Sequence, residues 1–119
     1  MLYTSYYGNS RKFPTNAIKV SISLSKPQGF ATDMDLKWLA PTWTMLSKYK
    51  ANHNAQEYIK EYAKILQKNF AEIEKFLYWA IADQRDIILL CWEASGKFCH
   101  RHLFAEYANK VLGIQIDEL

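Results

Sequence analysis

The chain has 119 residues, of which half are hydrophobic and 23% are charged. The hydrophobic and charged fractions indicate a folded chain and exclude a disordered one. The length fits one domain over residues 1–119 and is too short for two ordinary domains. The net charge of +3 comes from scattered basic residues, so nucleic acid stays open as a partner, although non-specific binding to it needs a denser basic stripe.

The N-terminal sequence MLYTSYYGNSRKF lacks the apolar segment of a signal peptide, and no later stretch approaches the length of a membrane span. We therefore expect a cytoplasmic protein with no membrane partner. In that compartment the two cysteines are expected to be thiols rather than a disulfide. The sequence does not indicate an oligomeric state.

Two strands are predicted near the N-terminus. Residues 2–7, LYTSYY, are aromatic and β-branched and end at a Gly-Asn turn. Residues 17–24, AIKVSISL, alternate between apolar and polar residues, which predicts a strand with apolar side chains on one face. Its other face carries Lys19, Ser21 and Ser23 and is expected to be open to solvent or ligand. The following SKPQGFATDMD is predicted to be irregular.

Helical spacing then dominates the chain. Pro41 fits the first turn of a helix through WTMLSKYK. Asn54 and Glu57 resemble a capping pair for the next helix, and a third apolar stripe follows a break at Asn69 and Phe70.

The last third of the chain predicts a strand, a turn, a helix and a short final strand. The run IILLCW is too short for a helix and indicates a central strand covered on both faces. A turn at Ser95 and Gly96 leads to a helix stopped by Gly113, and IQID is the last strand. Strands alternating with helices indicate a single small α/β domain, with a mainly parallel sheet flanked by helices.

The stretch LLCWEASGKFCHRHLFAEY, residues 89–107, contains both cysteines and two of the three histidines. It spans a strand end, a loop and a helix start, where ligands of open α/β sheets bind. The helix N-terminus and Arg101 would together hold an anion. The same surroundings would favour the thiolate of Cys99, with His100 as proton carrier, which permits nucleophilic catalysis.

Each of these residues also has a structural interpretation. Cys91 within IILLCW is expected to be a small buried hydrophobe. Arg101 would pair with Glu93 or Glu106, and His102 would cap the helix or face solvent.

Other chemistries find little support. The chain has no glycine-rich phosphate loop and no HExxH motif. A cysteine loop closed by an arginine is absent, because Lys97 and Ala105 occupy the positions six residues after the cysteines. We expect no cofactor and no metal site, since the cysteines are eight residues apart and adjacent residues such as Cys99 and His100 rarely face one ion.

Five segments carry a resemblance to a known family: YTSYY, VSIS, LAPTWTMLSKYK, EYIKEYAKIL and, above all, LLCWEASGKFCHRHLFAEY. From Tyr3 to about Tyr107 the chain resembles domain-of-unknown-function family 488, small microbial proteins with a strand-borne cysteine and a later Cys-His-Arg. The resemblance implies a compact α/β domain without a settled activity. It also implies that one site gathers Cys91, Glu93, Cys99, His100 and Arg101, joined by Thr4, Ser5 and Tyr7 if the first strand ends at the same edge.

Three functions follow as hypotheses. The first is a binding module for a phosphate-bearing or nucleotide-derived ligand, with Arg101 on the anion and Ser5, Tyr7 and Trp92 on a base or sugar; one version sequesters a nucleotide signal. The alternative is a cysteine-dependent enzyme acting on a nucleotide, nucleoside or nucleic-acid-linked substrate, with Cys99 and His100 as catalytic residues. The third is a protein-interaction domain that uses Phe30, Trp38 and Trp43.

Overall fold

The computed structural model describes residues 1–94 and 96–119. Its strands are β1 (Leu2–Tyr6), β2 (Ile18–Ser21), β3 (Met34–Asp35), β4 (Ile87–Cys91) and β5 (Asp117–Glu118). Its α-helices are α1 (Trp43–Asn52), α2 (Ala55–Lys68), α3 (Phe70–Ala82) and α4 (His100–Leu112). Two 3-10 segments, Tyr7–Lys12 and Lys37–Leu39, complete the regular structure.

The strands form one sheet in the order β3-β2-β4-β1-β5, and every strand pair is parallel. The prediction of an α/β domain with a parallel sheet is thus confirmed. Within the register, Tyr6 lies opposite Cys91, and Ser21 lies opposite Leu90. The carboxyl ends of β1, β2 and β4 therefore meet at one edge of the sheet.

The central strand β4 is buried along its whole length, as the run IILLC predicts. Ile87 and Leu89 face a core to which all four α-helices contribute side chains. Ile88 and Leu90 face a smaller cluster on the opposite side, which the 3-10 segment after β1 and nearby loops cover. Burial on both faces explains why this strand shows no polar alternation.

Local capping sets the helix ends. Asn54 accepts a hydrogen bond from the backbone N–H of Glu57, which confirms the predicted cap. Pro41, however, lies before α1 rather than in its first turn. Thr42 is the N-cap and accepts from the N–H of Met45 at 3.1 Å, because its hydroxyl satisfies an otherwise unpaired helix donor. Gly113 ends α4 as predicted, with φ of 65°.

The second strand differs from its prediction. It is shorter than residues 17–24. Its predicted polar face is closed at Ser21 and Ser23, because their hydroxyls bond to the Tyr7 hydroxyl at 2.7 and 2.5 Å, whereas Lys19 stays partly exposed. The segment predicted to be irregular contains the short β3. Of the predicted turn at Ser95 and Gly96, Ser95 lies outside the described residues, and Gly96 has a positive φ of 82°.

No helix in the part of the chain that the structure describes has both the length and the apolar character needed to cross a bilayer.

Candidate active site at the carboxyl edge of the sheet

The two cysteines meet at the edge where β4 ends and α4 begins. Cys91 is the last residue of β4, and Cys99 is the N-cap of α4. Their Cα atoms are 7.6 Å apart and their sulfur atoms are bonded as a disulfide. The expectation of two free thiols is wrong for this structure, because it considered only the redox compartment and not the approach of a strand end to a helix start.

His100 is buried beside this pair. Its Nε2 lies 2.6 Å from the backbone oxygen of Ile22, and its Nδ1 lies 3.6 Å from Sγ of Cys99. A carbonyl can only accept, so Nε2 carries the proton and the Nδ1 lone pair faces the sulfur. Burial lowers the pKa of His100 to about 4, although the bond to Ile22 opposes this effect. The imidazole is therefore neutral at pH 7.

Arg101 is fully buried and uses its guanidinium to join three elements. Nε and Nη2 donate to the carboxylate of Glu118, the latter at 2.9 Å. Nη1 donates to Sγ of Cys91 at 3.0 Å and to the backbone oxygen of Glu93 at 2.6 Å. The ion-pair partner of Arg101 is thus Glu118, rather than the Glu93 or Glu106 carboxylate considered from the sequence.

Glu118 connects the last strand to this network. Burial alone would raise its pKa, but hydrogen bonds from Arg101 and Thr4 outweigh burial and hold the pKa below its usual value. The Thr4 hydroxyl donates to Oε1 of Glu118 at 2.6 Å. His102, predicted to be structural, has a half-exposed side chain with Nδ1 4.0 Å from Oε1 of Glu118.

The polar residues of β1 and the 3-10 segment after it have internal partners. Ser5 accepts from the side-chain amide of Asn9 at 3.1 Å, and the Tyr7 hydroxyl bonds to the serines of the second strand. A cleft opens beside the two cysteines, and within the described residues its lining does not include Ser5, Tyr7, Thr4 or Arg101. The fold brings them to one edge of the sheet, but behind the surface that a ligand would reach.

The cleft beside the disulfide has a volume of about 820 Å³. The buried residues Cys91, Cys99 and His100 line it, together with the exposed residues Trp92 and Glu93. The Trp92 ring is 48% exposed, and its indole N–H donates to the backbone oxygen of Ser25 at 2.8 Å. Five of the nine sequence-derived candidates therefore reach this cleft.

Several residues of the cleft were not predicted to bind a small ligand. Trp43, Tyr49, Phe98 and Lys50 come from α1 or the loop before α4. Tyr49 and Phe98 stack with ring centroids 4.8 Å apart. Of the aromatics assigned to protein interaction, Trp43 is 65% exposed, whereas Phe30 packs on Tyr7 and Trp38 packs on the core.

Glu118 is another site residue that was not predicted from the sequence. In the sequence it is marked only as an acidic residue that directly follows a predicted short strand. Nothing in the sequence showed that this strand pairs with β1 and so brings the carboxylate to Arg101.

The burial of His100 predicts that the folded protein loses stability in acid. Its pKa is about 4 in the folded protein against 6.5 as the ordinary value, so below pH 6.5 the unfolded chain binds a proton that the folded chain excludes. The free energy of unfolding of the metal-free oxidised protein should fall by about 3 kcal/mol between those two pH values. Urea unfolding at a series of pH values measures this loss.

A His100→Gln variant is the control, because the amide donates to the Ile22 carbonyl without titrating. The difference between the two proteins isolates His100 from the carboxylates, which titrate in both. Identical pH profiles for the wild type and this variant would contradict the prediction.

Comparison with known proteins adds one match. The family model DUF488-N3a, described as the active DUF488-N3 subclade, matches residues 2–111. No curated protein and no solved structure matches the chain.

Proposed function

The chain belongs to the DUF488-N3a family, and from this premise we propose that it is a cysteine-dependent enzyme acting on a small nucleotide-like substrate. In this proposal Cys99 is the nucleophile and His100 is its base. Cys91 is the partner thiol that forms the disulfide when the site is oxidised. The observation that carries the proposal is the arrangement of His100 against Cys99 beside the cleft.

Two contacts orient His100 to act as a base, and the thiolate that forms beside it counters the burial that disfavours the protonated ring. The Ile22 carbonyl holds Nε2 and fixes the tautomer, and Nδ1 lies 3.6 Å from Sγ of Cys99. Once the disulfide is reduced, the Cys99 thiol can donate its proton to Nδ1. The thiolate then forms a bond to an electrophilic carbon or phosphorus of the substrate while the bond from that atom to its leaving group breaks, and protonated His100 returns its proton to the leaving group. Water hydrolyses the Cys99 adduct, which restores the thiol and completes turnover.

The position of Cys99 also stabilises a thiolate. It is the N-cap of a 13-residue helix, with extended backbone and no side-chain hydrogen bond to the helix N–H groups. The positive end of the helix dipole favours negative charge at this position. The nearby Arg101 guanidinium contacts the other sulfur, so Cys91 is the better leaving thiolate when the disulfide opens.

The oxidised and reduced forms of the site therefore differ in whether Cys99 can act as a nucleophile. The disulfide holds the nucleophile in a bond, and a reductant must release it before any turnover. A reducing cytoplasm would keep the site in its dithiol form. We assign the protein to that compartment on this ground.

The cleft suggests the class of substrate. Its volume of about 820 Å³ lies within the range of about 300–1,000 Å³ typical of small-molecule sites. Trp43 and Trp92 offer exposed ring surface for a planar base. Because the Arg101 guanidinium is enclosed, we assign the anionic group of the substrate to Lys50 and Lys97 on the cleft wall.

One observation favours the binding module as second candidate. Both cysteines are in the disulfide, and this oxidised form keeps the same aromatic and basic cleft without a free thiol. Such a form would hold a nucleotide-derived ligand unchanged.

A ligand-fate experiment separates the two candidates. Reduced protein is incubated with a panel of nucleotides, cyclic nucleotides and ADP-ribose derivatives, and mass spectrometry compares the free filtrate with material released by denaturation. We expect conversion of one panel member in the filtrate and a substrate-derived mass increase on Cys99. The oxidised protein is the control and should convert nothing. Recovery of a panel member unchanged from denatured reduced protein, with no product, would support the binding module instead.

A further inference from the structure

Three potential metal ligands converge where buried residues line the cleft. The ligand atoms of Cys91, Cys99 and His100 lie within 4.8 Å of one another, and all three residues are buried. Two thiolates and one imidazole form a donor set that Zn²⁺ uses in catalytic sites, with the fourth position open. The sequence spacing argued against a metal site, but the approach of β4 to the start of α4 removes that objection.

The distances agree with tetrahedral coordination. With Zn–S of about 2.3 Å and Zn–N of about 2.0–2.1 Å, a sulfur and a nitrogen on one tetrahedral ion are about 3.6 Å apart. Sγ of Cys99 and Nδ1 of His100 are 3.6 Å apart in this structure. The nitrogen available to the ion is therefore already placed beside the first sulfur.

The backbone leaves room for the second sulfur. The two cysteine Cα atoms are 7.6 Å apart, which is beyond the usual range of about 4.4–6.8 Å across a disulfide. After reduction the sulfurs can move apart by side-chain rotation to the spacing of about 3.8 Å that two thiolates on one zinc require.

The surrounding hydrogen bonds match those of known metal sites. A metal-bound histidine usually donates its other ring N–H to a carbonyl or carboxylate, which orients the ring. His100 does so with the Ile22 backbone oxygen at 2.6 Å. Arg101 Nη1 donates to Sγ of Cys91 at 3.0 Å, and such a bond stabilises a ligating thiolate. The Arg101 charge is in turn balanced by Glu118.

We propose that the reduced protein binds Zn²⁺ through Sγ of Cys91, Sγ of Cys99 and Nδ1 of His100, with the fourth position facing the cleft. A dithiol reductant supplies two electrons and two protons, so the disulfide becomes two thiols and the reductant becomes a disulfide. Zn²⁺ then replaces the two thiol protons, which are released to solvent. This site does not depend on the proposed activity, and it uses the same two atoms of Cys99 and His100, so bound zinc would block the nucleophile and its base.

Metal titration tests the site directly. The protein is reduced with dithiothreitol, freed of reductant without oxygen, and titrated with Zn²⁺ against a chromophoric chelator, and with Co²⁺ as a spectroscopic substitute. We expect one ion per chain, the release of about two protons per zinc, and the charge-transfer and d–d bands of tetrahedral thiolate-bound cobalt. The oxidised protein should bind no zinc at this site.

Variants locate the ligands. Cys91→Ser, Cys99→Ser and His100→Gln should each weaken zinc binding at least tenfold, whereas His53→Gln and His102→Gln should bind as the wild type does. Circular dichroism checks that each variant is folded. Unchanged affinity in folded cysteine or His100 variants would overturn the proposal, and so would a reduced wild type that takes up no zinc.

A measurement on the wild type alone covers the case in which a variant does not fold. Saturating Zn²⁺ should slow the alkylation of both cysteines by iodoacetamide at least tenfold, as followed by peptide mass spectrometry. Equal alkylation rates with and without zinc would overturn the proposal. Either result leaves the turnover of the metal-free dithiol form as a separate question.

Discussion

A Cys99→Ser variant is expected to lose at least about a thousandfold in turnover of whichever panel nucleotide the reduced wild type converts, because a serine hydroxyl is a far weaker nucleophile than a thiolate. Sγ of Cys99 is the sulfur that faces Nδ1 of His100. The substrate-derived mass increase should disappear in this variant as well. Product formation under reducing, metal-free conditions is the measurement.

Cys91→Ser is the matched control, because it removes the same disulfide and leaves the nucleophile and its base in place. We expect it to keep turnover in reductant and to become insensitive to oxidation by disulfide formation. Full activity in Cys99→Ser would rule out Cys99 as the nucleophile. Equal loss in both variants would instead indicate that the chemistry needs the pair of thiols together.

Replacing Arg101 by methionine is expected to lower the free energy of unfolding by roughly 2–4 kcal/mol. Removing one partner of a buried ion pair typically costs about 3–5 kcal/mol, because the other charge is left unpaired. Glu118 is 28% exposed and keeps its bond from Thr4, which reduces the cost. The backbone oxygen of Glu93 also loses its donor. Urea denaturation at neutral pH measures the change.

Arg85→Met is the matched control, because the Arg85 side chain is 59% exposed and its ion-pair partner among the described residues is Asp83, two positions away. This variant should unfold at the same urea concentration as the wild type. A double variant, Arg101→Met with Glu118→Gln, should lose less stability than the sum of the two single changes, because the residues act as a pair. An Arg101→Met protein as stable as the wild type would show that the network contributes nothing to folding.

The elements of the fold were largely readable from local patterns. The continuous run from Ile87 to Cys91 indicated the central strand, and the Asn54 cap and Gly113 stop marked helix ends that the structure confirms. These signals are local, since they depend on side-chain periodicity and on backbone groups within one turn of a helix. The start of α1 was misplaced by two residues, because proline is compatible with both the first turn and the residue before the cap.

The site was predictable only in part. The proximity of Cys99, His100 and Arg101 to a helix start followed from their order in the chain, and the resemblance placed Cys91 near them. The directions of their side chains did not follow. Arg101, expected to bind an anion, points away from the described cleft and into the pair with Glu118, and Ser21, expected to be open, is covered by Tyr7.

The sequence by itself determined the α/β class, the central strand and the segment in which the reactive residues gather, because hydrophobic periodicity and capping act over a few residues. The tertiary structure alone decided that Cys91 meets Cys99, that Ile22 fixes the ring of His100 and that Glu118 neutralises Arg101. These contacts join residues 8, 78 and 17 positions apart. Strand order and helix packing set such distances, and neither is encoded in the local pattern of any one segment.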